Sequence, residues 1–221
     1  MGVLQLEMAA GETVVAEAGA MVSKSPGMDL EVSLTARRGA GFVAFLKAFL
    51  FALIRKFVGG DTFILNHFTA TAPGQLMLAP AFAGSIERRE LAGGSIVLRA
   101  GAYLASTGDV DMRVRWGGLR ALFAREGLFF VEVFGTGTVW FASYGAVEAM
   151  RCEGSLVVDN GHVLAFDPQL DFRIRSAGGG LMGFVASGEG LVCEFQGNGI
   201  IWVQTRNVDA LVSWITPLLP E

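Results

Sequence analysis

The chain has 221 residues, of which 52% are hydrophobic and 17% are charged, and its formal net charge is −4. This length allows one large domain or two small ones with a substantial core. The negative balance argues against a general nucleic-acid-binding surface. Thirty glycines and 17 phenylalanines predict many tight turns between short, well-buried strands.

The N-terminal stretch MGVLQLEMAAGE lacks the basic start and the long apolar core of a secretory signal. The two cysteines, Cys152 and Cys193, stand in apolar strand-like contexts, which is typical of small buried thiols. These two features predict a reducing, cytoplasmic location with both thiols free.

One pattern occurs three times along the chain. The segments ETVVAEAGAMV, GSIVLRAGAYL and GSLVVDNGHVL align without gaps, and each predicts a hairpin whose turn contains a glycine of positive φ. Ten residues after that glycine an aspartate precedes strand-like alternation, in MDLEVSL, VDMRVRW and LDFRIRS. These aspartates are Asp29, Asp111 and Asp171. We expect them to be structural acids that accept backbone N–H groups at turns, the alternative being a carboxylate cluster on a pseudo-threefold axis that holds a cation.

The repeat continues in GGDTFILNHFTATAPGQLMLA, AREGLFFVEVFGTGTVWFAS and SGEGLVCEFQGNGIIWVQT, each predicting two strands around a glycine-marked turn. The turn glycines are Gly74, Gly137 and Gly199. The chain therefore consists of three units, residues 3–80, 83–144 and 145–205, and each is predicted to contain about six short strands. We therefore expect an all-β fold. Three β-sandwich or double-stranded β-helix-like lobes would form one compact domain over residues 1–221 in a pseudo-threefold arrangement.

Only the first unit contains the long apolar segment GFVAFLKAFLFALIRKFV, residues 41–58. Its large apolar residues share one face of a helical wheel, which predicts one inserted helix in the first lobe. These residues are Phe42, Leu46, Phe49, Leu50, Leu53 and Phe57. Because two lobes do without the segment, we expect the helix to mediate self-association. The alternatives are a cover over the lobe's own core, and a helix lying on a membrane surface with Lys47, Arg55 and Lys56 toward the headgroups.

The last stretch, NVDALVSWITPLLPE, changes to the period of a helix. It predicts a short C-terminal helix over residues 207–219, with Asn207 as N-cap and Pro217 near its end. We expect this helix to pack on the outside of the lobes as a terminal cap.

The segments GETVVAEAGAMV, GGDTFILNHFTATAPGQLMLAP, RAGAYLAS, FGTGTVWFASYG and LVVDNGHVLAFD resemble the conserved-hypothetical family related to the altered-inheritance-of-mitochondria proteins. The resemblance covers nearly the whole chain, in order. It implies a fold like that of the tryptophan RNA-binding attenuation protein, built from β-sandwich lobes, and it implies no catalytic residues. In mitochondrial relatives the association is with inner-membrane organisation, which implies a scaffolding or membrane-proximal role.

The residues themselves indicate little chemistry. His67 and His162 lie in different units, and neither has a second histidine or a cysteine at ligand spacing, so we expect no metal, no cofactor and no catalytic residues. The basic residues form two pairs spaced i and i+2, so that each pair shares a strand face. They are Arg113, Arg115, Arg173 and Arg175. A solvated outer face is the plain interpretation and contact with an anionic lipid or partner the alternative, while nucleic acid is not expected.

Together these patterns predict a non-enzymatic scaffold or interaction protein that forms a homo-oligomer. A small-ligand-binding module with its pocket between lobes is the alternative, and its ligand cannot be named from the sequence. A peripheral membrane protein and an enzyme are less favoured.

Overall fold

The computed structural model describes residues 2–33, 64–116, 129–176 and 191–219. The inserted helix expected at residues 41–58, with its apolar face, lies outside the described residues. What the structure describes is almost entirely antiparallel β, with one short C-terminal helix, so the expected all-β fold is confirmed.

The strands fall into three groups that follow the three units of the sequence. The first unit contains β1 (Leu4–Met8), β2 (Thr13–Glu17), β3 (Met21–Lys24), β4 (Met28–Ser33), β5 (Leu65–Ala70) and β6 (Gly74–Leu78). The second contains β7 (Ile86–Arg99), β8 (Tyr103–Trp116) and β9 (Phe129–Ala142). The third contains β10 (Val147–Asp159), β11 (Val163–Phe166), β12 (Asp171–Ser176) and β13 (Leu191–Gln204), with a 3-10 turn at Asn160–His162.

The same pairing pattern recurs in each unit. In the first unit β1 pairs with β6 and β2 pairs with β5. In each later unit a single long strand replaces two short ones. β7 pairs along its length with β9, and β10 pairs along its length with β13. Even a backbone irregularity repeats, two residues after each aligned turn glycine. The register shifts lie between Met21 and Ser23, between Tyr103 and Ala105, and between Val163 and Ala165. The pseudo-threefold arrangement and the single-domain organisation stay predictions.

Two of the expected glycine turns are wrong. Gly137 and Gly199 lie inside the continuous strands β9 and β13, and only Gly74 follows a turn. Gly137 is flanked by β7 and β8, and a Cβ on it would lie 2.0 Å from the carbonyl oxygen of Thr107. The glycine therefore permits a close approach between strands and does not reverse the chain.

The turn glycine of the third hairpin also differs from the expectation. Gly19 and Gly101 have positive φ angles of 90° and 82°, as the pattern predicts. Gly161 instead lies in the 3-10 turn, and a Cβ there would meet the Asn207 side-chain nitrogen at 2.0 Å. At this turn glycine is required for space beside the C-terminal segment, not for its φ angle.

Strand pairing also joins the units. β2 of the first unit pairs with the first half of β8, with Val15 opposite Ser106. The second half of β7 pairs with β11, with Val97 opposite Phe166. The result is a ten-stranded sheet that runs through all three units, beside a three-stranded sheet of β1, β6 and β3. Each junction thus unites a β2-like strand of one unit with a β3-like strand of the next.

The buried core extends across the junctions between units. One cluster of buried residues contains Leu65 from the first unit, Leu98 from the second and Leu164 from the third. At the second junction Phe130 packs edge-on against Phe166, with ring centroids 5.2 Å apart. Full burial of such a side chain contributes about 1.5–3 kcal/mol, so a large part of the stabilisation lies between units.

The C-terminal helix is confirmed, as α1 (Val208–Ile215), followed by a 3-10 turn at Thr216–Leu218 that contains Pro217. Asn207 is the N-cap, since its side-chain oxygen accepts a hydrogen bond from the backbone N–H of Asp209 at 2.8 Å. No residue of α1 is fully buried, and Trp214 is 67% exposed, so the helix lies on the surface.

A glycine at the start of the second unit, where the chain bridges to the first residue of the third unit, provides a test of close backbone packing. Gly84 forms a parallel bridge with Gly145, and a Cβ on Gly84 would lie 1.9 Å from the carbonyl oxygen of Ser143. We expect Gly84→Ala to lower the free energy of unfolding by about 1–3 kcal/mol, because the backbone must shift to admit the methyl group. Chemical denaturation measures the effect. The control is Gly94→Ala, where a Cβ meets nothing within 4 Å. Equal midpoints for both variants would contradict the close approach.

Candidate interaction surface

Strands β3 and β4 of the first unit expose a group of large apolar side chains. Met21, Val22, Leu30 and Val32 are 41%, 56%, 44% and 66% exposed. We call this group the end face. Isolated exposed apolar residues are common, but several on two consecutive strands form a patch of the kind that marks a contact surface.

Two of these residues have buried equivalents in the other two units. Tyr103 and Leu104 in β8 correspond to Met21 and Val22, and both are fully buried. Val163 and Leu164 in β11 are buried in the same way. The exposure of Met21 and Val22 therefore does not come from the repeat itself. At the equivalent strands β8 and β11 a strand of another unit pairs alongside, whereas β3 pairs only with β6 among the described strands.

The opposite end of the series shows the complementary difference. Val15 and Val97, the central residues of the β2-like strands, are 8% and 0% exposed, because the next unit pairs with them. Their equivalent in the third unit, Val157 of β10, is 47% exposed. Met150, seven residues earlier on the same strand, is 36% exposed. We call Met150 and Val157 the β10 edge, and this edge is the other uncovered half of a junction.

Hydrogen bonds reinforce the two junctions that are formed. The Tyr103 hydroxyl donates to the carbonyl oxygen of Val15 at 3.0 Å, and burial raises the pKa of this phenol. At the second junction Arg99 Nη1 donates to the carbonyl oxygen of Asn160 at 2.9 Å. Since a buried polar group is costly when it has no partner, each bond favours the docked arrangement of its two units.

The four arginines of the predicted anion-contact face do not act as one set. Arg113 donates through Nε and Nη2 to the two carboxylate oxygens of Glu132, at 2.9 Å each. Arg175 donates through Nε to Glu194 at 2.9 Å, and Arg173 lies opposite Glu194 in the ladder. Arg115 reaches across the second junction to the carbonyl oxygen of Pro168 at 2.9 Å. An external anion would compete with these acceptors, and the anion-contact role stays a prediction.

The acids opposite those arginines were not predicted from the sequence. Glu132 lies in VEVF and Glu194 in VCEF, at equivalent positions of β9 and β13. The hydrogen bond from Arg113, together with a smaller one from Ser95, lowers the pKa of Glu132 against the opposing effect of burial. The partnership of these acids with the arginines depends on the register between strands. Their equivalence can be recognised in the sequence only when the segment of β9 is aligned with the segment of β13.

The three repeated aspartates occupy one equivalent ladder position. Asp29, Asp111 and Asp171 lie opposite Thr69, Phe134 and Gln196. The carboxylate of Asp111 accepts the backbone N–H of Met112 at 2.8 Å. Acids that the sequence argument did not select hold the turns of the third unit. Asp159 accepts from the backbone N–H of Gly161, and Asp167 accepts from that of Ile200, each at 2.8 Å.

The remaining reactive side chains have local partners. His162 Nδ1 lies 2.7 Å from the carbonyl oxygen of Gln204. Cys152 and Cys193 are free and buried, as expected, and burial raises the pKa of Cys193 to about 12. Over the four described ranges, no three acidic, histidine or cysteine side chains come close enough to hold a metal. In the same ranges no helix has the length and apolar character needed to cross a membrane.

A cleft of about 350 Å³ lies between the first and second units. Its lining includes Leu6, Glu12, Thr107 and Trp140. At the second junction the tryptophan in the equivalent position, Trp202, is covered by the guanidinium of Arg89, which stands 5.4 Å from the ring centroid. Leu6 occupies the place of Arg89 in the first unit's ladder.

Comparison with known proteins places this architecture among uncharacterized relatives. The family model described as mitochondrial biogenesis AIM24 matches residues 1–206. An uncharacterized protein of Streptococcus pyogenes serotype M6 is 28% identical over 220 residues, covering 98% of this chain and 86% of that protein. A crystal structure of a S. pyogenes protein, at 27% identity, superposes with a TM-score of 0.79 over 98% of this chain and 94% of that one.

The Arg113–Glu132 pair predicts a specific pH dependence of stability. Because the folded pKa of Glu132 lies below its unfolded value, its contribution is complete above about pH 4.3 and is lost as the pH falls through the folded pKa. We expect Glu132→Gln to cost about 1 kcal/mol at pH 7, and we expect this cost to shrink as the pH falls below about 4.3 and through the folded pKa. Melting curves from pH 7 to 3 measure this, with Glu148→Gln, an exposed acid on β10, as control. A constant difference across that range would rule out the ion pair as the cause.

Proposed function

The chain belongs to the mitochondrial biogenesis AIM24 family, and within that family we propose that it is a non-enzymatic scaffold or interaction protein that self-associates. The observation that supports this is the end face. Of its four exposed apolar side chains, Met21 and Val22 stand at positions whose equivalents in the other two units are buried. A surface that twice serves as a junction within the chain is suited to serve as one between chains.

Two physical effects favour association through the end face. Burying a valine or leucine side chain fully contributes about 1.5–3 kcal/mol, so covering the partly exposed end face contributes several such increments before the cost of association. In addition, β3 pairs only with β6 among the described strands. A strand with one open side offers backbone N–H and C=O groups that a further strand can bind. Apolar contact and backbone pairing therefore favour the same surface.

The helix predicted at residues 41–58, outside the described residues, remains a second candidate for self-association through Phe42, Leu46, Phe49, Leu50, Leu53 and Phe57. Peripheral contact with a membrane, or contact of the arginine pairs with an anionic partner, is a less favoured proposal than self-association. Binding to nucleic acid is not expected. The proposed location is cytoplasmic, and two free buried cysteines are in keeping with a reducing compartment. The likeness of the fold to the tryptophan RNA-binding attenuation protein is also retained as a prediction.

The end face can be tested with one charge. We expect Val22→Glu to shift the protein toward monomer in light scattering, because association would bury a carboxylate without a partner. The matched control is Val212→Glu on α1, since Val212 is 55% exposed and Val22 is 56% exposed. The control should keep the wild-type mass, and both variants should retain β-type circular dichroism. A wild type that is monomeric at all concentrations refutes self-association, and an unchanged mass for Val22→Glu removes the end face from it.

The cleft between the first and second units favours a second candidate function, the small-ligand-binding module. Its lining combines Leu6 and the largely buried Trp140 with the Glu12 carboxylate, and therefore has an apolar and a polar part. We expect a ligand of this cleft to raise the melting temperature of the wild type and not that of Trp140→Ala. A metabolite screen in which nothing stabilises the wild type would leave the scaffold as the better proposal.

A further inference from the structure

We propose that the cleft between the first and second units binds a small guanidinium compound, with the cation beside Trp140 and the carboxylates of Glu7 and Glu12. The proposal rests on the second candidate function, the small-ligand-binding module, and names the chemical class of its ligand. It follows from the equivalent place at the second junction, where a guanidinium of the chain itself lies over the equivalent tryptophan.

The second junction contains the contact that serves as a template. The Arg89 guanidinium of the second unit stands over the ring of Trp202 of the third unit, 5.4 Å from the centroid. Nη2 of the same guanidinium lies 3.9 Å from the carboxylate of Asp167. A guanidinium suits such a place because it is planar, can lie against an aromatic ring and is more weakly hydrated than an ammonium group. The template therefore joins a cation of one unit to an indole and an acid of the next.

The first junction retains the tryptophan without the cation. Trp140 of β9 aligns with Trp202 of β13. Leu6 holds the ladder position of Arg89, and both Leu6 and Trp140 line the cleft. Among the described residues that line this cleft there is no lysine, arginine or histidine. A guanidinium beside Trp140 would therefore have to come from a ligand.

Carboxylates are present at this cleft as well, but they come from other positions. Thr107 aligns with Asp167, so the acid of the template is replaced by a neutral hydroxyl. Glu7 and Glu12 of the first unit line the cleft, and both are exposed. Glu12 stands where the later units have glycine, and its Oε2 accepts the backbone N–H of Ala9 at 2.7 Å. That bond orients the carboxylate, and a guanidinium can bind a carboxylate through parallel N–H groups.

The size and lining of the cleft restrict the ligand further. Its volume of about 350 Å³ is at the lower end of the range for small-molecule sites. Trp140 is 8% exposed, so a ligand meets only part of its ring, and the apolar side chains of Leu6, Met8 and Val14 also line the cleft. These side chains favour a short alkyl chain on the guanidinium.

Other classes of ligand suit the cleft less well. An anion would face two carboxylates, and no basic residue of the described lining would offset their repulsion. A neutral compound would leave both carboxylates without a counter-charge. A bare metal ion is less suited because, over the described ranges, no three acidic, histidine or cysteine side chains come close enough to hold one.

Isothermal titration calorimetry with butylguanidinium tests the ligand class. The control ligand is butylurea, which has a similar planar head and the same alkyl chain but no charge. We expect butylguanidinium to bind the wild type at one site. We expect butylurea to bind roughly tenfold more weakly, because hydrogen bonds to carboxylates are stronger from a charged donor.

Two variants test the residues of the cleft. Glu12→Gln removes one charge and keeps an oxygen for the backbone N–H of Ala9, and we expect it to weaken the binding of butylguanidinium by about two- to fivefold, as for an exposed ion pair. Leu6→Arg supplies a guanidinium from the chain and should abolish the binding. The matched control is Glu148→Gln, an exposed acid on β10 that does not line the cleft, and it should bind like the wild type.

A third variant, Arg89→Leu, removes the cation of the template and leaves Trp202 and Asp167 in place. We expect it to bind two equivalents of butylguanidinium where the wild type binds one. A site in Arg89→Leu with none in the wild type would overturn the proposal, because the template would accept the ligand and the cleft would not. Equal affinity for butylurea, or unchanged affinity in Glu12→Gln, would also overturn it.

The failure of this inference can be distinguished from the failure of the ligand-binding module. If butylguanidinium does not bind, while a neutral or anionic metabolite raises the melting temperature of the wild type and not that of Trp140→Ala, the module stands and the guanidinium class is wrong. If no compound of either kind binds, both are wrong.

Discussion

The structure depends on the backbone pairing between a β2-like strand of one unit and the β3-like strand of the next. A strand inside a unit has one partner there, and its other side presents unpaired N–H and C=O groups that are costly to bury and reactive toward other strands when exposed. In this chain two such sides are satisfied by neighbouring units, through the pairing of β2 with β8 and of β7 with β11. Other strand sides stay open within the described residues, and those of β3 and of the second half of β10 are the ones equivalent to the paired sides.

Side-chain packing follows from this pairing. The buried cluster that contains Leu65, Leu98 and Leu164 spans three units, so none of them has a complete core of its own. Tyr103 and Arg99 add hydrogen bonds from a side chain of one unit to a main-chain carbonyl of another. The same logic accounts for the exposed apolar residues. Met21, Val22 and Val157 stand at positions that the junctions between units bury elsewhere in the chain.

Much of the architecture could be predicted from the repeat, and the failures have physical causes. The alternation of residues such as those around Asp29 and Asp111 identifies strands, and Asn207 identifies the start of α1, because both signals are local. Gly137 and Gly199 were misjudged because a glycine that admits a close neighbour inside a strand, the backbone of Thr107 for Gly137 and the side chain of Leu170 for Gly199, has the same local sequence as a glycine in a turn. The arginine pairs were placed on strand faces correctly, but their partners Glu132 and Glu194 depend on the register between strands distant in sequence. The end face could not be predicted at all, since Met21 and Val22 have the pattern of core residues.

The account's central claim is that copies of the protein associate through the end face. Amide hydrogen exchange at increasing protein concentration tests it most directly, because pairing between copies protects backbone N–H groups that are open in the monomer. The account predicts that protection at residues 21–24 rises with concentration, while α1 exchanges at an unchanged rate. Exchange at these residues that is independent of concentration, in a protein that light scattering shows to be associating, would contradict it.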